Sequence, residues 1–258
     1  MSEDADEAGR DFVTALARGL DVLQVCAAHP DGVTLSDVAR QTGLPRASVR
    51  RSLLTLCATG YLVADGRAFV LTPKVLSFSA AIANSTLARL AQPVLDGLNR
   101  QFGESFSLAT LDGTDVLYVA RSEARRIFSL NLSVGSRLPA YCTSMGRVLL
   151  AGLAAEALER ALPRELPART PRTITDRQEL LRALDEVRRV GFCLLDQELE
   201  LGLRSLAVPL IDTNGHVVAA LNVGVQAAQM PARELRRLFL SALQQAADTL
   251  RPATMRLP

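Results

Sequence analysis

Arg46, Arg50 and Arg51 fall within six residues of one another in one short stretch of this chain, TLSDVARQTGLPRASVRRSLLTLCATG from Thr34 to Gly60. A guanidinium pairs with a phosphate or, bidentately, with a guanine edge, so the chemistry this spacing offers is nucleic-acid contact. Val49, Leu53, Leu56 and Cys57 fall within about a third of a helical circumference and form the buried side. The opposite side carries Ala47, Ser48, Arg51 and Thr55, with Arg50 on its flank and Arg46 in the first turn. Small residues near the start of such a helix let it enter a major groove. Thr34, Arg46, Ser48, Arg50 and Arg51 are therefore the expected DNA contacts, joined by Arg67 further on. The competing reading is an ordinary amphipathic helical hairpin with solvated arginines.

Catalytic chemistry is poorly supplied. A Ser-His-Asp site needs a histidine, and the two present are His29 in a loop and His216 beside a turn, neither near a nucleophile motif. There is no G-x-S-x-G, no glycine-rich phosphate loop, no H-x-x-H or H-E-x-x-H and no Cys/His cluster. The sequence thus assigns no catalytic residue, no metal ligand and no cofactor.

The elements that must hold the arginines follow from local signals. Thr34 with Asp37 three residues on caps a helix start, Gly43 ends that helix where φ must turn positive, and Pro45 fits the first turn of the next. Tyr61 to Val63 and Ala68 to Leu71 are β-prone runs around Ala64-Asp65-Gly66-Arg67, a hairpin with a DG turn. That hairpin is a wing with Arg67 at its tip. Before them, Phe12, Leu16, Leu20, Leu23, Val25 and Cys26 predict a helix interrupted or capped near Gly19, ending at His29-Pro30-Asp31-Gly32 and packing under the recognition helix. A helix, a helix-turn-helix and a hairpin in this order make a winged helix-turn-helix domain, expected over residues 11–72 after a disordered acidic tail, 1–10.

Thr72-Pro73 then starts an alanine-rich helical run through Val75, Leu76, Phe78, Ala81 and Ile82, a linker over 73–84 with apolar surface to spare for a dimer contact. A helix from about Ser85 to Phe102, kinked or restarted at Pro93, opens the second domain, 85–251. Its strands are expected at 105–111, 116–121, 126–132, 191–196, 203–211 and 217–225, and its helices at 145–153, 154–162 and 176–190. A closing helix has Leu235, Leu238, Phe239, Ala242, Leu243, Ala246 and Leu250 on one side. This is an α+β fold with an antiparallel sheet flanked by helices.

Composition agrees. The 258 residues are 48% hydrophobic and 22% charged, a globular profile with room for two domains. The overall charge of +2 conceals a net +3 between Phe12 and Lys74, where seven cations face four acids, a modest footprint for DNA. Cys26, Cys57, Cys142 and Cys193 sit apart in apolar contexts, as buried thiols of a reducing compartment do. No apolar run approaches the roughly 20 residues of a membrane span, and the acidic start SEDADEAGRD is the reverse of a signal peptide. A cytoplasmic protein without a membrane partner is expected.

With both halves in view, the chain resembles the IclR family of bacterial transcriptional regulators from about Thr14 to Leu250. Two motifs carry the resemblance, GSRLPAYCTSMGRVLLA (135–151) and GFCLLDQELELGLRSLAVPLIDTNGHVVAALNVG (191–224). In PAYCTSMGRVLLA and DQELELGLRS it is most similar to the branch regulating protocatechuate, 4-hydroxybenzoate and β-ketoadipate metabolism. The resemblance implies a winged helix, a linker helix, a GAF-like effector-binding domain and dimers that often pair into tetramers. The implied partners are a pseudo-palindromic double-stranded operator and a small organic acid such as protocatechuate, 4-hydroxybenzoate or β-ketoadipate.

A pocket for such an acid needs anion donors on a rigid frame with an apolar body around them. Tyr141 to Ser144 lead into the helix starting near Met145, and free amides at a helix start favour a carboxylate; a plain helix cap is the alternative. The resemblance places Cys142, Thr143, Ser144 and Met145 at the pocket, and likewise the turn and strand holding Asp196 and Ser205. Asp196 could equally hold its loop. Arg121 and Arg137 are the candidate carboxylate partners, although either could be structural. Asn222, a polar residue inside an apolar strand, needs a partner that a ligand hydroxyl could supply, and Leu130 and Leu206 are expected against the ligand body. The rival functions are a dimeric ligand-binding protein without DNA contacts and, more remotely, a hydrolase.

Overall fold

The computed structural model describes residues 12–77, 86–124 and 132–256. The chain divides into two compact units, one ending at Ala81 and the other starting at Ile82.

In the first unit α1 (Thr14–Ala27) runs without interruption, so Gly19 does not break it. It closes where His29 Nδ1 meets the Val25 carbonyl at 2.9 Å. Val22 and Cys26 enter the core, but Phe12, Leu16 and Leu20 stay more than half exposed, contrary to their expected place on the packed side. β1 (Val33–Thr34) follows, then α2 (Leu35–Thr42), whose cap is the Thr34 hydroxyl accepting from the Asp37 amide at 3.3 Å. Gly43 leaves α2 with φ +68°, and Pro45 immediately precedes α3 (Arg46–Ala58). Val38, Val49, Leu53 and Leu62 complete a small core with Val22, Cys26 and Val33. This is the expected helix-turn-helix.

The wing consists of β2 (Leu62–Asp65) and β3 (Ala68–Leu71). Asp65 pairs with Ala68, so the turn is Gly66-Arg67, with φ positive at Gly66 alone. That is the pattern of a type II′ turn rather than one centred on Asp65-Gly66. β1 adds a third strand beyond β3. The linker expectation is met only in part: Pro73–Val75 form a 3-10 turn. Its continuation through 78–85, the tail 1–10 and most of the expected strand at 126–132, with Leu130, lie outside the described residues.

The second unit starts with α4 (Thr86–Phe102), helical through Pro93. β4 (Ser105–Asp112), β5 (Asp115–Ser122) and β6 (Arg137–Pro139) follow. After the 3-10 turn Ala140–Cys142 come α5 (Ser144–Ala151), α6 (Ala155–Ala161) and α7 (Arg177–Val190). The chain finishes with β7 (Cys193–Asp196), β8 (Leu203–Ile211), β9 (Val217–Gln226), α8 (Ala232–Leu250) and a 3-10 segment, Arg251–Arg256. Among the described residues no helix is long and apolar enough to cross a membrane.

Every pairing in the six-stranded sheet, order β6-β5-β4-β9-β8-β7, is antiparallel. Strand alternation gives the sheet two apolar faces. Phe106, Leu108, Leu206, Val208, Leu221 and Val223 pack with α4 and α8, where Leu95, Leu235, Phe239 and Leu243 meet them. Ala109, Ala207, Ala220, Cys193 and Leu195 turn the other way, towards α5 and α7. The sequence therefore yields an α+β fold whose small residues line one face of the sheet, and small residues are what leave space.

Candidate functional site

That space is a cavity of about 650 Å³ between the sheet and the start of α5. Its floor is set by register. Ser107 of β4 pairs with Arg121 of β5 on one side and with Asn222 of β9 on the other. Two residues along, on the same face, Gly224 pairs with both Ser105 and Ser205. Two polar rows thus cross the centre of an otherwise apolar sheet, and all six residues line the cavity.

Above the floor, Thr143 caps α5 by accepting from the Gly146 amide at 3.2 Å. Ser144 and Met145 then present first-turn amides that have no acceptor within the helix. The cap is tight: a side-chain carbon on Gly146 would fall 2.1 Å from the Ala140 carbonyl oxygen. Cys142, Thr143, Ser144 and Met145 all border the cavity. Burial pushes the Cys142 thiol up to about 11 and the Tyr118 phenol, also on the wall, up to about 12. Both groups stay neutral at physiological pH, so Cys142 is not a poised nucleophile.

The turn from Gln197 to Gly202 closes one side. Gln197 has φ +66°, the left-handed region that a side chain rarely occupies. Arg147, buried, donates to Glu198 Oε1 at 2.9 Å and Oε2 at 2.5 Å, and to the Tyr141 carbonyl at 2.9 Å. The Thr170 hydroxyl donates to the Gln197 carbonyl at 2.7 Å and that of Thr173 to the Glu198 carbonyl at 2.6 Å. Breaking a buried pair by removing one partner costs about 3–5 kcal/mol, so the turn is firmly tied to α5.

Within this frame Arg121 donates to Ser107 Oγ at 3.0 Å and reaches Glu123 Oε1 at 3.4 Å, but its Nε has no partner. Asn222 Oδ1 and Ser144 Oγ are also buried and unpaired. These three are the buried side-chain polar atoms without a partner among the described residues, and all belong to residues lining one cavity.

Three expected pocket residues lie elsewhere. Arg137 reaches the hairpin carboxylates Asp112 and Asp115, the latter at 3.4 Å, on the surface. Asp196 ties its strand end down, pairing with Arg172 at 2.5 Å and Arg204 at 2.7 Å, which is the loop-holding alternative. Partial burial pulls its carboxyl up, but hydrogen bonds from Gln197 and Arg204, then the charges of Arg204 and Arg172, outweigh that and hold it below the usual range. Leu206 points into the opposite core, one residue out of phase with Ser205. The sequence reading missed Ser105, Ser107, Tyr118, Gln197 and Gly224, although parity with Asn222 and Ser205 was a usable signal for Ser107 and Gly224 once strand pairing was known.

On the first unit, Arg50, Arg51 and Arg67 are exposed. Arg46 is exposed too and donates to Ser36 Oγ at 2.9 Å, bridging the two helices. Thr34 is occupied by its cap, donating to Asp37 Oδ2 at 2.7 Å. Ser48 is buried against the core, so it does not lie on the readable face: α3 is rotated to bring Ser48 inward beside Val49. Lys74 donates to the Thr59 carbonyl at 2.7 Å and lies over the Tyr61 ring, fastening the end of α3. Among the described residues no group of three His, Cys, Asp or Glu side chains could hold a metal ion.

A winged helix-turn-helix with free arginines, joined in one chain to a cavity with anion donors, defines a ligand-responsive DNA-binding regulator. The IclR helix-turn-helix domain matches residues 15–66, and the C-terminal domain of the bacterial transcriptional regulator IclR matches 79–251. The chain belongs to the IclR family of transcriptional regulators. It is 47% identical to the Pca regulon regulatory protein of Pseudomonas putida, covering 93% of this chain and 84% of that one. A solved transcriptional regulator from Rhodococcus sp. RHA1 is 44% identical, with a TM-score of 0.77 over 94% of this chain and 98% of its own. A double mutant of the PobR inducer-binding domain from Acinetobacter, in complex with 3-hydroxybenzoic acid, is 37% identical, with a TM-score of 0.59 over 63% of this chain and 96% of its own.

Proposed function

We propose that this protein is a cytoplasmic transcriptional regulator of aromatic-acid catabolism whose hold on a pseudo-palindromic operator is set by a small organic acid. Protocatechuate, 4-hydroxybenzoate and β-ketoadipate are the leading effectors. The observation that carries this reading is the convergence of three unpaired buried polar atoms, on Arg121, Ser144 and Asn222, in one cavity. Leaving such groups unsatisfied costs about 1–3 kcal/mol each, and an acid bearing a further oxygen function satisfies them together. Arg121 and the α5 amides donate to the carboxylate, and Asn222 Oδ1 accepts from a hydroxyl of the ligand. The names of the Pseudomonas and Acinetobacter relatives point the same way. We assign it action by binding rather than catalysis, a reading supported by the Cys142 thiol in the cavity wall being held neutral.

The remaining assignments are DNA contact by Arg46, Arg50, Arg51 and Arg67 and self-association as a homodimer or dimer of dimers. Phe12, Val13, Leu16 and Leu20, each more than half exposed on or just before α1, support the latter, because contiguous apolar surface of this kind marks an interface.

Calorimetric titration of the three acids into wild type and Arg121→Ala tests the reading. At least one acid binds wild type, and its affinity falls by about 1.5–3 kcal/mol in the variant, as expected for a lost charged hydrogen bond. Equal affinity in both proteins would falsify the carboxylate assignment.

A further inference from the structure

Glycine in the interior of a strand weakens it, and where it occurs it marks a bulge, a left-handed backbone or the close approach of another group. Gly224 lies inside β9 between the buried Val223 and Val225. Its φ is not positive. The β8–β9 register passes through it unbroken, the one shift falling far away between Leu210 and Ile211. Nor does another part of the fold crowd it: a side-chain carbon built there would meet Leu203 Cδ1 at 3.8 Å, an ordinary contact. Conformation, bulge and packing all permit a side chain, yet none is present. What that side chain would enter is the cavity, since Gly224 pairs with Ser105 and Ser205 in the floor row.

We infer that Gly224 is a specificity-determining residue of the pocket, its bare backbone seating the carbon body of the acid while the Arg121–Ser107–Asn222 row engages the oxygens. The size of the residue at this position sets which acids are admitted. This rests on the reading of the cavity as the effector pocket. The contrast with Gly146 is instructive: there the missing side chain is demanded by the Ala140 backbone, whereas at Gly224 the fold makes no such demand.

The test is titration of protocatechuate, 4-hydroxybenzoate and β-ketoadipate into wild type, Gly224→Ala and Gly224→Val, with the melting temperature of each unliganded protein. The acid that wild type binds most tightly loses at least tenfold in Gly224→Val and an intermediate factor in Gly224→Ala, while the melting temperature does not fall. Wild-type affinity in both variants overturns the role of Gly224 and leaves the pocket reading standing. Failure of wild type to bind any of the three overturns the pocket reading, and this inference with it. If valine lowers the melting temperature, Gly224→Ala decides alone, a threefold or larger loss supporting the inference and an unchanged affinity overturning it.

Discussion

Arg121 and Arg137 are both offered by the sequence as carboxylate partners, and the structure separates them by what surrounds them. Arg121 stands on the sheet face with one distant carboxylate, Glu123 at 3.4 Å, and its Nε unpaired, while Arg137 sits on a hairpin with two carboxylates. Arg137→Ala should therefore leave acid affinity within about 0.5 kcal/mol of wild type, as surface changes do, in the same titrations that register the loss in Arg121→Ala. Leu206 and Ser205 illustrate a second limit of legibility. In a strand with polar residues on one face, a single step reverses the side, and only pairing with β9 shows which parity faces the cavity. On the DNA side, exposed Arg51 should cost about 1–3 kcal/mol when replaced by alanine if it reads a base, with relaxed specificity at that position. A gel shift on operator and random DNA distinguishes the cases: equal loss on both indicates a phosphate contact, and no loss removes Arg51 from the interface.

At the scale of elements, those with strong local punctuation were legible: α2 between Thr34 and Gly43, the β2–β3 hairpin, and α7 between Asp176 and Gly191. β1 escaped because its two residues acquire strand character only by pairing with β3. The apolar positions of α1 were misplaced because periodicity reports an apolar side, not what covers it. The placement of α5 is more constrained than any pattern suggested. Gly146→Ala would drive a carbon into the Ala140 carbonyl, so it should destabilise the second unit by about 3 kcal/mol, the upper part of the usual overpacking range, read from denaturant unfolding. The strand end at Asp196 carries a pH signature. Its carboxyl is held low in the folded protein, so its stabilisation is present above the unfolded value of about 4 and disappears as pH falls through the lower folded value. Stability compared between wild type and Asp196→Asn should thus differ by a constant amount above about pH 5 and converge below about pH 4. A difference that persists undiminished at low pH would show that shape, not charge, holds the turn.

For the whole molecule, an acid acts only as far as it binds the DNA-competent and DNA-incompetent states unequally, and such couplings are typically about 1–3 kcal/mol. Operator affinity measured with and without saturating acid should shift by that amount, about 5- to 150-fold, and acid affinity should shift reciprocally on operator. Light scattering at micromolar concentration should report a dimer or larger, and a monomer would remove the apolar stripe of α1 as an interface. The pairing of β4 with β9 has a different kind of consequence. These neighbours at the centre of the sheet are separated by more than 100 positions, whereas the winged helix is closed by contacts made within its own 80 or so residues. Non-local pairing is slow, and N-terminal domains generally fold first during synthesis. On the ribosome, the DNA-binding unit is therefore complete while β4 still waits as an unpaired, apolar edge for a strand yet to be translated. A chain stopped before Val217 should keep the circular dichroism of the winged helix and aggregate through its unfinished sheet, which makes the last sixth or so of the message the part on which solubility depends.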